Sequence, residues 1–336
     1  MPIARRAFSY TVIAASRQNG SAPVWTANRH AASSGTSDAS TQPLALDRCR
    51  MLLERLLARV AVCHTADPAD FVPWYVDDQL VGRVHRHREP VLATPGSPFV
   101  RSRDGWQLAG ADFDERSRAM AAFVERLAEQ GHCRRPLGEL YAVHAADAGP
   151  SRLQIDRAAV PWFGVRAEGV HLNGLVVTAA GLSMWIGRRA RDKRTFPGHL
   201  DNLVAGGQPF GLSSEQTLRK ECLEEAGMPA ELAAMARPVT TIHYTQQLGS
   251  DWKPDRLHCF DLELPPDFVP RPNDGEVEAF ALWSVPQLVA SLVGDDLWKP
   301  NCVLVVLDCL LRRGALDGHL PGPARWTLWR AVHGFG

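Results

Sequence analysis

Three carboxylates, Glu221, Glu224 and Glu225, stand close together within AGGQPFGLSSEQTLRKECLEEAGM, the stretch from Ala205 to Met228. On a helix, spacing of i, i+3 and i+4 puts all three on one face, within reach of one another. Like charges packed that way repel. A hard divalent cation, Mg²⁺ or Mn²⁺, removes the repulsion by taking oxygen ligands while leaving positions for water and substrate phosphates. The chemistry this offers is attack on phosphorus in a small diphosphate. A solvated acidic face is the plainer reading of an isolated ExxEE. The loop Gly206-Gly207-Gln208-Pro209-Phe210-Gly211 in front of it favours the metal reading, because glycines let the backbone turn sharply and let a carbonyl approach an ion.

The elements that must hold these residues follow from local signals. Ser213 is a suitable N-cap, Gln216 three residues on completes a capping-box pattern, and Gly227 supplies the stop, so a helix is predicted between them. Upstream, GVHLNGLVVT and GLSMWIGRR predict two strands joined by a tight turn at Ala179-Ala180-Gly181. Downstream, PVTTIHYTQQ and LHCFDLEL have the branched and aromatic content of strands, with loops expected at LGSDWKPDR and LPPDFVPRPNDG. KPNCVLVVLDCLLR, from Lys299 to Arg312, predicts a buried helix closed by Gly314. Amphipathic helices are predicted over residues 44–62, with Asp47 in the first turn, and over 114–130, closed by Gly131. Short strand and loop patterns lie between those two helices, so residues 44–160 read as a small α/β domain of their own.

The stretch from Gly206 resembles the Nudix box: Gly, five residues, Glu, seven residues, Arg-Glu, an apolar residue, any residue, Glu-Glu, any residue, Gly and an apolar residue. Glu221, Cys222, Glu224, Glu225, Gly227 and Met228 fall in register, while Leu212 and Lys220 stand where the box has its first Glu and its Arg. Since those two positions help hold loop and helix together in the family, a different brace is implied here. The longer run from Met184 to Pro229, with FGVRAEGVHLNG before it and DLELPPDFVPRPNDGEVEAFALW after it, is similar to the Nudix domain of thiamine pyrophosphokinase-related proteins. In those proteins Leu or Ile and Lys commonly occupy the two departing positions, and a small domain precedes the Nudix domain. The resemblance implies an α/β/α sandwich with a mixed sheet over residues 161–316, preceded by the smaller α/β domain, with a tail over 317–336. It also implies hydrolysis of thiamine diphosphate, or of its oxidised or oxy analogues, to the monophosphate plus phosphate.

On that reading Glu221 and Glu225 are the principal metal ligands, Glu224 is a further or water-mediated one, and the Gly206 carbonyl completes the shell. Glu224, Glu225 and Glu276 are the candidate catalytic carboxylates. Glu276 and Glu278, in NDGEVEAF, stand where many Nudix enzymes place another ligand or the general base; as exposed loop acids they would do neither. Arg188, Arg189, Arg191, Lys193 and Arg194 form a basic run, of which Arg188, Arg189 and Lys193 are the candidate phosphate contacts and the rest a solvated face. Trp185, Trp252, Tyr244 and Trp298 could stack on a substrate ring or serve as core, with Trp185 the candidate for substrate binding. His171, His199 and His243 lack carboxylate or Cys neighbours at zinc spacing and are expected to be satisfied by hydrogen bonds.

Composition narrows the partners. Lys plus Arg and Asp plus Glu are 37 each, which removes the broad positive field of a nucleic-acid binder and leaves a small-molecule diphosphate as the expected partner. The longest uncharged stretch, Gly169 to Ile186, carries His171, Asn173 and Thr178, so two strands explain it better than a membrane span. The seven cysteines are scattered, contain no CxxC and read as free thiols of a reducing cytosol. Residues 1–43 hold Arg5, Arg6, Arg17 and Arg29, with no acid before Asp38. That composition suits an organellar transit peptide or an unstructured leader on a cytoplasmic protein. A monomer or homodimer is expected. Two alternatives to hydrolysis remain at this point: an isomerase of allylic diphosphates, which needs a Cys facing a Glu, and a non-catalytic ligand sensor.

Overall fold

The computed structural model describes residues 9–12, 25–28, 41–145 and 149–335. Most of the leader expected over 1–43 lies outside the described residues; within it, β1 (Ser9–Val12) pairs antiparallel with β2 (Trp25–Asn28). Helix α1 (Thr41–Ala61) follows.

A small α/β unit comes next. Its sheet has the order β4 (Gln79–His85), β3 (Phe71–Val76), β6 (Trp106–Leu108), β5 (Phe99–Arg101), with β3 and β6 parallel. The β3–β4 turn places Asp77 and Asp78 at φ 50° and 60°, a left-handed pair that Asp tolerates better than most residues. One-turn helix α2 (Glu89–Leu92), helix α3 (Phe113–Glu129), the hairpin of β7 (Leu140–Val143) and β8 (Leu153–Asp156), and short α4 (Val160–Phe163) complete it. Trp74, Phe99, Phe123 and Phe163 fill its core.

The second unit is a mixed seven-stranded sheet between helical layers, the expected α/β/α sandwich. Its strands are β9 (Glu168–Thr178), β10 (Gly181–Arg189), β11 (Leu200–Asp201), β12 (Val204–Gly207), β13 (Arg237–Leu248), β14 (Asp251–Glu263) and β15 (Val277–Ser284). β9 is central: β14 runs parallel to it on one side, and on the other it pairs first with β12 and then with β10. Period-two alternation along β9 sends Val170, Leu172 and Val176 to one face, where α5 (Ser214–Ala226) packs through Leu218 and Cys222 and α6 (Ala230–Ala233) through Ala233. Leu175, Met184 and Ile186 face the other layer, built by α7 (Val285–Val293), α8 (Pro300–Arg312) and α9 (Gly322–Val332).

Three expectations are corrected. Helix α1, grouped by its place in the sequence with the small domain, packs Leu56 and Val60 into the core of the second unit against α7, α8 and α9. Residues 317–336, expected as a tail, carry α9, whose Leu328 and Val332 are fully buried. The loop expected at LGSDWKPDR is mostly strand: β13 and β14 stay paired from Leu248↔Asp251 onward. Pro254 is tolerated there because β14 gains its second neighbour, β9, only at Arg256, so a missing N–H disrupts no second ladder. Among the described residues no helix is long and apolar enough to cross a membrane.

Candidate active site

Helix α5 forms as its caps dictate. Ser213 Oγ accepts from the Gln216 amide at 3.2 Å, Gln216 Oε1 accepts from the Ser213 amide at 2.8 Å, and Gly227 closes the helix at φ 58°. The helix presents its acids toward β12. Glu225 is buried, and its Oε2 accepts from the Ala205 amide at 2.9 Å. Glu221 lies against Gly206 so closely that a Cβ there would fall 2.5 Å from Glu221 Cγ and 2.7 Å from Oε1. Gly206 is therefore required for space. Glu224 is half-exposed, and Lys220 bridges it at 2.6 Å and Glu221 at 3.3 Å.

Glu276, immediately before β15, joins from across the sheet, placed by the bond from the Ala190 amide to its carbonyl at 2.9 Å. Burial raises the pKa of Glu221; Lys220 opposes, while Glu224 and Glu276 raise it further. Burial lifts Glu225 well above the ordinary carboxylate range, and the nearby charges of Asp201 and Glu221 add to it. Burial also works to raise Glu276, but its bond to Lys193 and the charges of Lys193, Arg157 and Arg189 hold it below the usual range. Two carboxylates that resist ionisation, Glu221 and Glu225, beside a glycine strand that leaves room for them, fit a hard divalent cation.

The basic run disperses. Arg189 is buried and donates to Asp201 at 2.8 Å and to the Thr195 carbonyl at 3.2 Å. Arg188 donates to the Gly198 carbonyl, Arg191 pairs with Glu278 at 3.4 Å, and Lys193 pairs with Glu276. Glu278 is thereby held by Arg191, while Glu276 remains near Glu221. Trp185 was expected to contact substrate, but its ring is 8% exposed and sits in the core on the α5 side. Because residue 185 follows the inward-facing alternation of β10, burial takes its ring. Tyr244, Trp252 and Trp298 are likewise buried, Tyr244 donating to Asp255 at 2.6 Å and Trp298 to Ser291 at 3.0 Å. His171 Nδ1 lies 2.8 Å from Asn202 Oδ1, and His199 Nδ1 lies 3.0 Å from the Pro197 carbonyl.

Behind Glu225 lies a buried cluster that local patterns did not disclose. Ligand atoms of His171, Asp201 and Cys302 lie within 4.8 Å of one another. Asp201 is already neutralised by Arg189 at 2.8 Å and Lys299 at 3.2 Å, and the Cys302 thiol donates to it at 2.7 Å. Two resident cations disfavour a third there, so the cluster reads as a structural ion-pair network. Burial would raise Asp201, yet Lys299 and Arg189 hold it far below the ordinary range. An acid between Leu200 and Leu203 was the only local signal of this cluster.

The brace that Leu212 and Lys220 implied comes largely from the small unit. The Phe210 amide donates to the Leu140 carbonyl at 2.7 Å, Phe113 stacks on Phe210 at 5.4 Å, and Gln208 donates to the Leu212 carbonyl at 2.8 Å. Tyr141 stands over Gly207, its Cζ 2.8 Å from where a Cβ would lie. Phe113, Leu140 and Tyr141 escaped the sequence reading because they meet the loop only in three dimensions.

Residues 54–167 match a family described as a domain of unknown function, DUF4743, and residues 173–301 match the NUDIX domain family. Two relatives from Arabidopsis thaliana are similar over most of both chains. Nudix hydrolase 20, chloroplastic, is 37% identical over 256 residues, covering 73% of this chain and 68% of the relative. Nudix hydrolase 24, chloroplastic, is 36% identical over 281 residues, covering 82% and 74%. A solved structure of DR0079 from Deinococcus radiodurans, 21% identical, covers 51% of this chain and 99% of its own, with a TM-score of 0.41. The family matches, the identity shared along most of the two hydrolases and the acid-bearing box helix agree, and this chain belongs to the Nudix hydrolase family, whose members hydrolyse phosphoanhydrides of small diphosphates.

Proposed function

We propose that the chain hydrolyses thiamine diphosphate, or its oxo or oxy analogues, to the monophosphate plus phosphate, with Mg²⁺ or Mn²⁺ held by Glu221, Glu225, Glu224 and the Gly206 carbonyl. The observation that carries the site is the packing of Glu221 against Gly206 beside buried Glu225. The substrate rests on the resemblance of the run from Met184 to Pro229 to thiamine pyrophosphokinase-related proteins. A bound divalent ion supplies charge neutralisation of the diphosphate and acidification of a water nucleophile. Glu276, held ionised beside Lys193, is the proton acceptor for that water. Lys193, paired with Glu276, is the phosphate contact from the basic run; Arg188 donates to the Gly198 carbonyl and Arg189 serves Asp201. We also propose that residues 1–43 direct the chain to an organelle, a reading supported by its two relatives being chloroplastic.

Purified protein with Mg²⁺ is expected to release phosphate from thiamine diphosphate and oxythiamine diphosphate. Chelation is expected to stop it, and Glu225→Gln to lower kcat/KM by at least about 100-fold. Wild-type rates in that variant would remove Glu225 from the site.

A further inference from the structure

The acid cluster accounts for the diphosphate and leaves open where the organic part of the substrate sits. A cavity of about 230 Å³ opens on the other side of Gly207. Both units build it: Tyr141, Ala142 and Ser151 from the β7–β8 hairpin region, and Glu168, Gln208 and Phe210 from the hydrolase unit. Consecutive glycines connect it to the acids, since Gly206 accommodates Glu221 and Gly207 accommodates Tyr141. Pockets enclosing a whole drug-sized ligand measure roughly 300–1,000 Å³, so this one suits a single ring.

Its lining says what kind of ring. Tyr141 and Phe210 supply aromatic faces. Gln208 spends its amide N–H on the Leu212 carbonyl, and its Oε1 is buried with no partner. An unmade bond at a buried acceptor is destabilising, and a ligand donor would make it. Glu168 adds carboxylate oxygens, although His258 at 2.5 Å, Arg256 at 3.2 Å and Arg166 at 3.2 Å already surround it. That surround makes the cavity a poor host for a cation and a suitable one for a neutral ring bearing N–H donors.

We propose that this cavity seats one neutral ring of the substrate's organic group, a flat heteroaromatic ring carrying an N–H donor, so that the preceding domain forms one wall of the substrate pocket. The proposal rests on the diphosphate reading of the acid cluster, and its test separates the two. Thiamine monophosphate, which offers the cavity a neutral aminopyrimidine ring, keeps its thiazolium cation outside it and has no anhydride, is titrated calorimetrically into the full chain. Ala142→Trp, which fills the cavity, and Gln208→Leu, which removes the acceptor together with the bond to the Leu212 carbonyl, are each expected to weaken binding by about tenfold or more. Chelation with EDTA is expected to stop phosphate release from thiamine diphosphate, while wild type still binds the monophosphate within about twofold of its affinity with Mg²⁺. Circular dichroism identifies a variant that fails to fold; if Ala142→Trp does, Gln208→Leu decides. Absence of wild-type binding, or unchanged affinity in a folded cavity variant, overturns the cavity assignment. Intact binding without phosphate release from any diphosphate overturns the hydrolytic reading of the acids and leaves the cavity standing.

Discussion

Gly206→Ala tests whether the first glycine of the box is there for space. The backbone at Gly206 is not in the left-handed region, so alanine meets no conformational objection. The added methyl would meet Glu221 Cγ at 2.5 Å and Oε1 at 2.7 Å, about 1 Å inside ordinary carbon contact, which lies near 3.5–4.0 Å. Glu221 must yield, because the far side of Gly206 is fixed by pairing with Val170 on β9. Overpacking of this size costs about 1–3 kcal/mol of stability. The functional loss is larger in consequence, since displacing a ligand by about 1 Å lowers rate by about 100-fold. Gly249→Ala, in the β13–β14 turn away from the site, is the control: φ is 61°, but nothing lies within 4 Å of the new methyl. It is expected to cost about 1–2 kcal/mol in urea unfolding and to leave kcat/KM within a few fold. The assay is phosphate release from thiamine diphosphate across a Mg²⁺ titration. If Gly206→Ala keeps wild-type kcat/KM and magnesium dependence, Glu221 is not held where the reasoning puts it.

Two further outcomes are expected. Leu56 is fully buried against the hydrolase-side helices, so Leu56→Ala should destabilise the chain by about 2–5 kcal/mol in urea, and a cost below about 1 kcal/mol would deny α1 its place in that core. Burial, with the charge of Lys299 beside it, brings His171 down to about 4, whereas an unfolded imidazole titrates near 6.5. Its contribution is therefore complete above about pH 6.5 and is lost as pH falls toward about 4, by about 3 kcal/mol at most. Comparing urea stability of wild type and His171→Gln at pH 7.5 and 4.5 checks this, with parallel pH dependence as the refuting result.

Much of the fold was legible from short-range signals. The capped helix α5, the β9–β10 hairpin with its turn at Ala179-Ala180 and the buried α8 each declared themselves through caps, alternation or an apolar run. Periodicity misled where one element serves a distant partner. The pattern over residues 44–62 specified an amphipathic helix without naming the helices it packs against, and Pro254 suggested a loop where a strand without a second neighbour tolerates it. Trp185 shows the same limit, since aromatic type is shared by stacking and core residues and only burial separates them.

The amino-acid sequence by itself determined the three-acid helix, because helical spacing is a local property and puts Glu221, Glu224 and Glu225 on one face wherever the helix lies. Tertiary structure decided which charges stay available around it. Arg189 turned inward to Asp201, Lys193 turned to Glu276, and Tyr141 arrived from a hairpin more than sixty positions upstream to stand over Gly207. Such pairings depend on desolvation and on distances between segments far apart along the chain, quantities that exist only once the core has closed.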